Sequence, residues 1–293
     1  MNAFAIHPDT RLGLIHLNIS DPERATRFYC DVLGFAVLER RENTLWLTAD
    51  GKTPLLALTA INRALPRTPQ TAGLYHFAIL VPGRFDLALA LHHILEMHYP
   101  LQGASDHLVS EALYLADPDG NGIEIYADRA PEEWIWDHGH VQMDTNALDL
   151  DFLLAELGRG KVVWERLNPE TRIGHVHLQI LNLRECEDFY RQVLGLRVRA
   201  RYGMGAVFLA AGDYHHHVGL NNWEVASGAV ASAEVAGLRY FTLRLPDEEE
   251  LRRVANNLNK LGMGFESSPG MLKLQDPGGN TVVVSVGQIL PER

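Results

Sequence analysis

The sequence predicts an α+β fold in which one βαβββ module is used four times. Three observations carry this. Residues 115–129, LADPDGNGIEIYADR, return as residues 274–288, LQDPGGNTVVVSVGQ, each an Asp-Pro-x-Gly-Asn turn leading into an alternating strand. Residues 12–35 align without a gap on residues 173–196, matching Ile15 with Val176, His16 with His177, Phe28 with Phe189, Tyr29 with Tyr190 and Gly34 with Gly195. The strings GLYHFAILVP (73–82) and GLRYFTLRLP (237–246) are a third related pair. A repeat of this kind fixes the architecture before any single residue is interpreted.

Each module reads the same way along the chain. An alternating apolar strand opens it. A polar turn follows, as in Ser20-Asp21-Pro22-Glu23, with the residues that start a helix. The helix carries Phe28, Val32 and Leu33 at helical spacing and stops at Gly34, or at Gly195 in the third module. Short strands close the unit. The organisation is an N-terminal half, residues 1–127, with modules at about 12–60 and 73–127. A connector, residues 128–172, holds a short helix near 147–157. The C-terminal half, residues 173–293, has modules at about 173–221 and 237–286.

Composition narrows the function classes. A hydrophobic content of 46% suits a globular core. The net charge of -11 argues against nucleic acid and anionic membranes as partners, since phosphate binding needs clustered Lys and Arg. No apolar run approaches the roughly 20 residues needed to span a bilayer. The N-terminus, MNAFAIHPDTR, lacks the charged-then-apolar pattern of a secretion signal. With Cys30 and Cys186 alone there is no disulfide framework, which suits a reducing cytosol, so a cytoplasmic protein is expected.

The strings GLYHFAILVP, SEALYLADPDGNGIEIYADR, IGHVHL and GDYHHHVGLN carry a resemblance that covers nearly the whole chain. It resembles the vicinal oxygen chelate superfamily, which includes glyoxalase I, fosfomycin-resistance proteins and type I extradiol dioxygenases. It is most similar to a bacterial catechol-2,3-dioxygenase subgroup. A single DPDGN turn would not be specific; these strings together are. The resemblance implies that modules pair into half-open mixed-sheet barrels, each a cup with a metal on its floor. Ligands are expected from the first strand of each module and from the strand after the Asp-Pro-x-Gly-Asn turn. Extradiol enzymes are similar in using two His and one carboxylate, which leaves open positions for a catecholate and O₂.

Aligned on this sequence, the first-strand positions are Leu14, His76, His175 and Tyr240 in modules 1 to 4, and the last-strand positions are Glu124 in module 2 and Val283 in module 4. Pairing modules in sequence order completes no triad. Pairing module 2 with module 3 assembles His76, Glu124 and His175; pairing module 1 with module 4 leaves Leu14, Tyr240 and Val283, an inert floor. Chance loss would not sort ligands so cleanly, so swapped pairing is expected. A lone His on a strand is more often a hydrogen-bonded core residue than a ligand. Glu124 is harder to read that way: it alternates with Ile123 and Ile125, and an unpaired buried carboxylate costs several kcal/mol.

The GDYHHHV stretch supplies a candidate acid/base. His216 matches the position of the extradiol catalytic His, with His217 as the fallback, and imidazole suits proton transfer near neutral pH. The stretch reads as an alternating strand that continues into Val218, Gly219 and Leu220, so His216 is expected to face opposite to His215 and His217. Partners for the metal-bound imidazoles or the substrate are sought in His177, Tyr126 and His107, each of which reads equally well as packing. His16, His92 and His93 read as structural or solvated.

The expectation is therefore an Fe(II)-dependent extradiol dioxygenase, with Mn(II) as the alternative ion, acting on a small aromatic diol and O₂. The resemblance also allows a homo-oligomer joined through edge strands. Two rivals stand beside it. A glyoxalase-type isomerase or transferase more often has four protein ligands, and here the fourth position, taken at the end of module 1, reads Pro54. A non-catalytic small-molecule binding protein would hold no metal and tolerate Glu124→Gln.

Overall fold

The computed structural model describes residues 4–61, 64, 71–160, 163–223, 225 and 235–289. Module 1 contributes β1 (Arg11–Ile19), β2 (Ala36–Arg41), β3 (Thr44–Thr48) and β4 (Pro54–Ala60). Module 2 contributes β5 (Gly73–Leu80), β6 (Gly103–Asp106), β7 (Ser110–Ala116) and β8 (Gly122–Asp128). The connector adds β9 (Trp136–Asp137), β10 (His140–Val141) and β11 (Asn146–Ala147), then a short helix, Leu150–Leu154. Module 3 holds β12 (Arg172–Gln179), β13 (Arg197–Tyr202), β14 (Ala206–Ala210) and β15 (Val218–Asn221). Module 4 holds β16 (Gly237–Leu245), β17 (Glu266–Ser268), β18 (Met271–Gln275) and β19 (Thr281–Val286).

The sheets cut across the two halves of the sequence. One eight-stranded sheet runs β17-β18-β19-β16-β1-β4-β3-β2, modules 4 and 1; a nine-stranded sheet runs β11-β6-β7-β8-β5-β12-β15-β14-β13, modules 2 and 3. Each is a mixed sheet curled into a half-open barrel. In every module the first and last strands pair parallel, and the two first strands of a sheet pair antiparallel at its centre. Antiparallel register across the centre sets the first-strand floor residues of both modules side by side.

The local chemistry explains the module ends. Asp21 caps the helix Pro22–Thr26 by accepting from the amides of Glu23 and Arg24, and Asn182 caps the helix Leu183–Asp188 through the amide of Glu185. Both helices widen into a π turn, at Arg27–Val32 and Phe189–Val193. These turns carry Tyr29 and Tyr190 into the interior. Gly34 then reverses the chain at φ +82°, where a Cβ would strike Trp164.

The repeated turn motif turns out to be a clasp between sheets. The Tyr29 hydroxyl donates to Asp117 Oδ2 at 2.8 Å, and Tyr190 donates to Asp276 Oδ2 at 2.7 Å. Asn121 and Asn280 saturate the same carboxylates through backbone and side-chain N–H groups. Module 1 thereby grips the turn of module 2 in the other sheet, and module 3 grips that of module 4. One continuous apolar core lies under both sheets, with Tyr29, Phe77, Tyr190 and Phe241 fully buried.

Candidate active site

The nine-stranded sheet brings His76, Glu124 and His175 together on its floor. On β5 and β12, His76 faces His177, and His175 faces Ala78; on β5 and β8, Ala78 faces Glu124. A bulge between Ile173 and His175 re-aims the start of β12. The result is a triangle of donor atoms. Glu124 Oε2 lies 3.0 Å from His76 Nε2 and 3.1 Å from His175 Nε2, and the two Nε2 atoms are 3.3 Å apart. Among the described residues this is the one His/Cys/Asp/Glu group of metal-holding geometry. Donors spaced like this share one face around a common centre at roughly 2.1 Å.

Burial makes the set unusual. Glu124 is 3% exposed and His175 1%. Desolvation pushes the Glu124 carboxyl up, but the adjoining imidazoles His175 and His76 outweigh it and hold it well below the ordinary range. Desolvation takes His175 down to about 4 against the pull of Glu124. An ionised carboxylate beside a neutral imidazole is the protonation state that a divalent cation requires. His175 Nδ1 is buried without a hydrogen-bond partner, so the ring orientation is set by packing against Tyr126, 4.9 Å away, and against His216.

A cavity of about 680 Å³ opens on this triangle. His216 lines it, its ring centroid 4.0 Å from that of His175. Its Nδ1 meets His215 Nδ1 at 2.7 Å, and His215 Nε2 in turn meets Asp128 Oδ1 at 2.8 Å. Burial holds His216 well below the usual imidazole range, so it rests neutral. With Nδ1 engaged, Nε2 is the ring nitrogen left for the cavity.

The other sequence candidates fall in different places. His177 lines the cavity, its Nε2 3.1 Å from Asn221 Nδ2, and burial keeps it neutral. His107 also lines it, fixed between the Asp144 carbonyl at 2.7 Å and the Tyr114 hydroxyl at 2.6 Å. Tyr126 stands behind the floor, its hydroxyl 2.6 Å from that of Tyr214 and above Gly174, where any Cβ would collide with it. His217 turns away from the cavity; its Nδ1 accepts the Ala211 amide and its ring packs on Tyr214. His16 is buried against Thr59 in the other sheet, and His93 stacks on Trp164.

Two sequence expectations need correction. The histidine run is not a strand: β15 begins at Val218, and residues 212–217 form turns and bends. His215 therefore reaches round to His216 instead of facing away from it. The fourth floor position of this cup is not Pro54. Register places Gly219 beside His177 where Glu124 stands beside Ala78, and in module 1 the equivalent residue is Ala57. Gly219 has no donor, and a Cβ there would press on the His177 ring at 2.9 Å.

Sequence reasoning missed the Tyr114 wall. Tyr114 sits directly opposite Glu124 across β7 and β8, and burial together with the Glu124 charge keeps its phenol protonated. Alternation along ALYLA put it on that face, so the signal was present. Gln179, Phe208 and Trp223 line the cavity from strands and loops that no motif marks.

Comparison with known proteins agrees with this architecture. The Glyoxalase/Bleomycin resistance protein/Dioxygenase superfamily matches residues 11–125 and 172–284, and the chain belongs to that superfamily. It is a catechol-2,3-dioxygenase-like enzyme: it is 44% identical to a catechol-2,3-dioxygenase of Bacillus subtilis (strain 168) over 277 residues, 93% of this chain and 96% of that protein. It is 34% identical over 131 residues to a biphenyl-2,3-diol 1,2-dioxygenase of Rhodococcus globerulus, across 42% of this chain and 67% of that protein. The fold is that of glyoxalase I from Zea mays, with TM-score 0.56 at 16% identity over 95% of this chain and 92% of the other. A putative dioxygenase structure from Bacillus subtilis superposes with TM-score 0.63 at 16% identity, over 97% and 86% of the two chains.

Proposed function

We propose that this chain is an Fe(II)-dependent extradiol dioxygenase that opens the ring of a catechol with O₂, in a cup made by modules 2 and 3. The observation that carries the reading is the buried triangle of His76 Nε2, His175 Nε2 and Glu124 Oε2, open to a cavity that admits an aromatic ring. The donors fit the group: two imidazoles and one carboxylate suit Fe(II), with Mn(II) as the alternative. Those three residues would hold the ion, and the module 3 end, Gly219, leaves the rest of its coordination to substrate. When bound, the metal supplies Lewis acidity and a one-electron path between diol and O₂.

The protein supplies position and protons. Phe208, Tyr75 and Trp223 form apolar walls that can hold the ring edge-on to the floor. His216 Nε2 takes a diol proton as the substrate binds and returns it as the ring opens. His215, anchored by Asp128, fixes the His216 ring through the Nδ1 contact. The protonated Tyr114 hydroxyl donates to His107 Nε2, whose Nδ1–H is anchored on the Asp144 carbonyl, so the pair shapes the mouth as a fixed wall. One carboxylate among three protein donors would leave a divalent site at net +1, which favours an anionic diol. A reducing cytoplasm suits both Fe(II) and the free thiols of Cys30 and Cys186.

The test is O₂ uptake by protein reconstituted anaerobically with Fe(II) and given catechol or alkylcatechols. Uptake with a yellow ring-opened product is expected. Bound metal without uptake would move the assignment to isomerase or transferase chemistry in the same cup.

A further inference from the structure

A second cavity, of about 210 Å³, lies outside the His76–Glu124–His175 cup, where the start of β12 meets the β1–β16 pair of the other sheet. Arg11, Arg172 and Arg244 all line it. Arg11 and Arg244 are direct cross-strand partners, and Arg11 and Arg172 hold the same position in aligned modules 1 and 3. Like charges set directly opposite are destabilising in a sheet; here Arg244 is half-buried, and Arg11 and Arg172 reach the surface at the mouth of the cavity. Among the described residues none of the three makes an ion pair or a side-chain hydrogen bond. The one carboxylate of the lining, Asp50, is committed to its own loop, accepting from the Thr48 and Thr53 hydroxyls and from the amides of Lys52 and Thr53.

A second observation points the same way independently of charge. Thr171, which lines the cavity, is 5% exposed, and its hydroxyl has no hydrogen-bond partner. Buried hydroxyls are rarely left unpaired, and one in this state marks a place for an acceptor. Ser285, also buried, adds another hydroxyl to the lining.

We propose that this cavity binds a small oxyanion, a phosphate or a carboxylate, held by the guanidinium groups of Arg11, Arg172 and Arg244 and by the Thr171 hydroxyl. Guanidinium forks match the planar oxygen pairs of both anions. The volume is below that of sites for drug-sized ligands, which excludes a nucleotide and admits an anion of a few heavy atoms. Because Arg172 comes from the nine-stranded sheet and Arg11 and Arg244 from the eight-stranded one, the anion ties the two sheets together at their seam.

The experiment is thermal unfolding of the metal-loaded, full-length protein at constant ionic strength, with sodium chloride replaced by inorganic phosphate in one arm and by succinate in another. A near-saturating anion raises Tm by about 2–4 °C over chloride. The increment disappears in Arg172→Gln combined with Arg244→Gln and survives in part in Arg244→Lys, which keeps the charge and guards against a folding defect. Calorimetric titration gives one anion per chain in the wild type. A response to phosphate alone or succinate alone identifies the anion. No increment over chloride with either anion, or an equal increment in the double Gln variant, overturns the site.

Discussion

The two cups are built from the same parts and filled in opposite ways. In the cup of modules 2 and 3 the floor positions hold His76, Glu124 and His175; in the cup of modules 1 and 4 they hold Tyr240, Val283 and Leu14. Leu14 packs with Trp46 and Ala57, and Tyr240 lies against His16 at 4.8 Å. Register and strand order are shared, so the backbone does not decide which cup carries polar donors. The side chains do. Close approach across the central antiparallel pair is useful to either cup: it seals an apolar floor in one and brings donor atoms within 3.0–3.3 Å in the other. The donor cup buries a carboxylate, a desolvation penalty that the two adjoining imidazoles have to outweigh. The apolar cup carries no such penalty.

The comparison breaks most sharply under single substitutions on the two floors. Glu124→Ala or His175→Ala is expected to lower kcat/KM for catechol by well over about 100-fold, more than loss of an outer hydrogen-bond partner costs. Val283→Ala and Tyr240→Phe leave it within about two-fold. Steady-state O₂ uptake reads all four, and comparable losses on both floors would erase the distinction. His216→Ala is expected to reduce kcat by about 10²–10⁴-fold while bound iron stays at the wild-type level, the signature of a proton-transfer group. Loss of iron together with activity would instead make His216 part of the metal's surroundings.

The same contrast can be sharpened by transplant. Replacing the donor floor with the apolar one, as His76→Tyr, Glu124→Val and His175→Leu together, should give a folded, metal-free protein. It should be as stable as the metal-free wild type or more so by about 1–4 kcal/mol, measured by urea unfolding. Chelation should lower the Tm of the wild type by a few degrees and leave the triple variant unmoved.

The smallest effect lies in the other cup. Burial, with a further push from Arg239, holds His16 down to about 3, against 6.5 for an ordinary imidazole. Between those values the unfolded chain binds a proton that the folded chain does not. Stability therefore falls as pH drops from about 6.5 towards 3, by about 1.4 kcal/mol per pH unit for this group. His16→Gln should flatten the urea midpoint between pH 7 and pH 4.5 by that one proton. An unchanged pH slope would show that His16 is not held neutral by the fold.

Much of this was legible in the sequence because repeats expose equivalent positions. Asp21 and Asn182 aligned as helix starts and are both caps, and seven residues before them stand Leu14 and His175. The Asp-Pro-x-Gly-Asn turn marked Glu124 and Val283 as counterparts, and the parallel strands place them alike, beside Ala78 and Thr242. Other features depend on contacts between distant segments. Nothing local in Asp128 or His215 announces their 2.8 Å contact across 87 residues, nor the reach of Tyr29 to Asp117. The histidine run alternates in sequence, but its backbone turns before β15 begins, so face assignment by period two failed there. The fourth floor position is Gly219 because strand pairing puts it there, and nothing in the sequence at the end of module 1, Pro54, reveals that pairing.

The most direct test of the central claim is iron content after anaerobic reconstitution and gel filtration. It should be compared among the wild type, Glu124→Ala, His175→Ala and Val283→Ala. About one Fe(II) per chain is expected in the wild type and in Val283→Ala, and almost none in the other two. Iron retained by Glu124→Ala would place the metal elsewhere and rule out the His76–Glu124–His175 site.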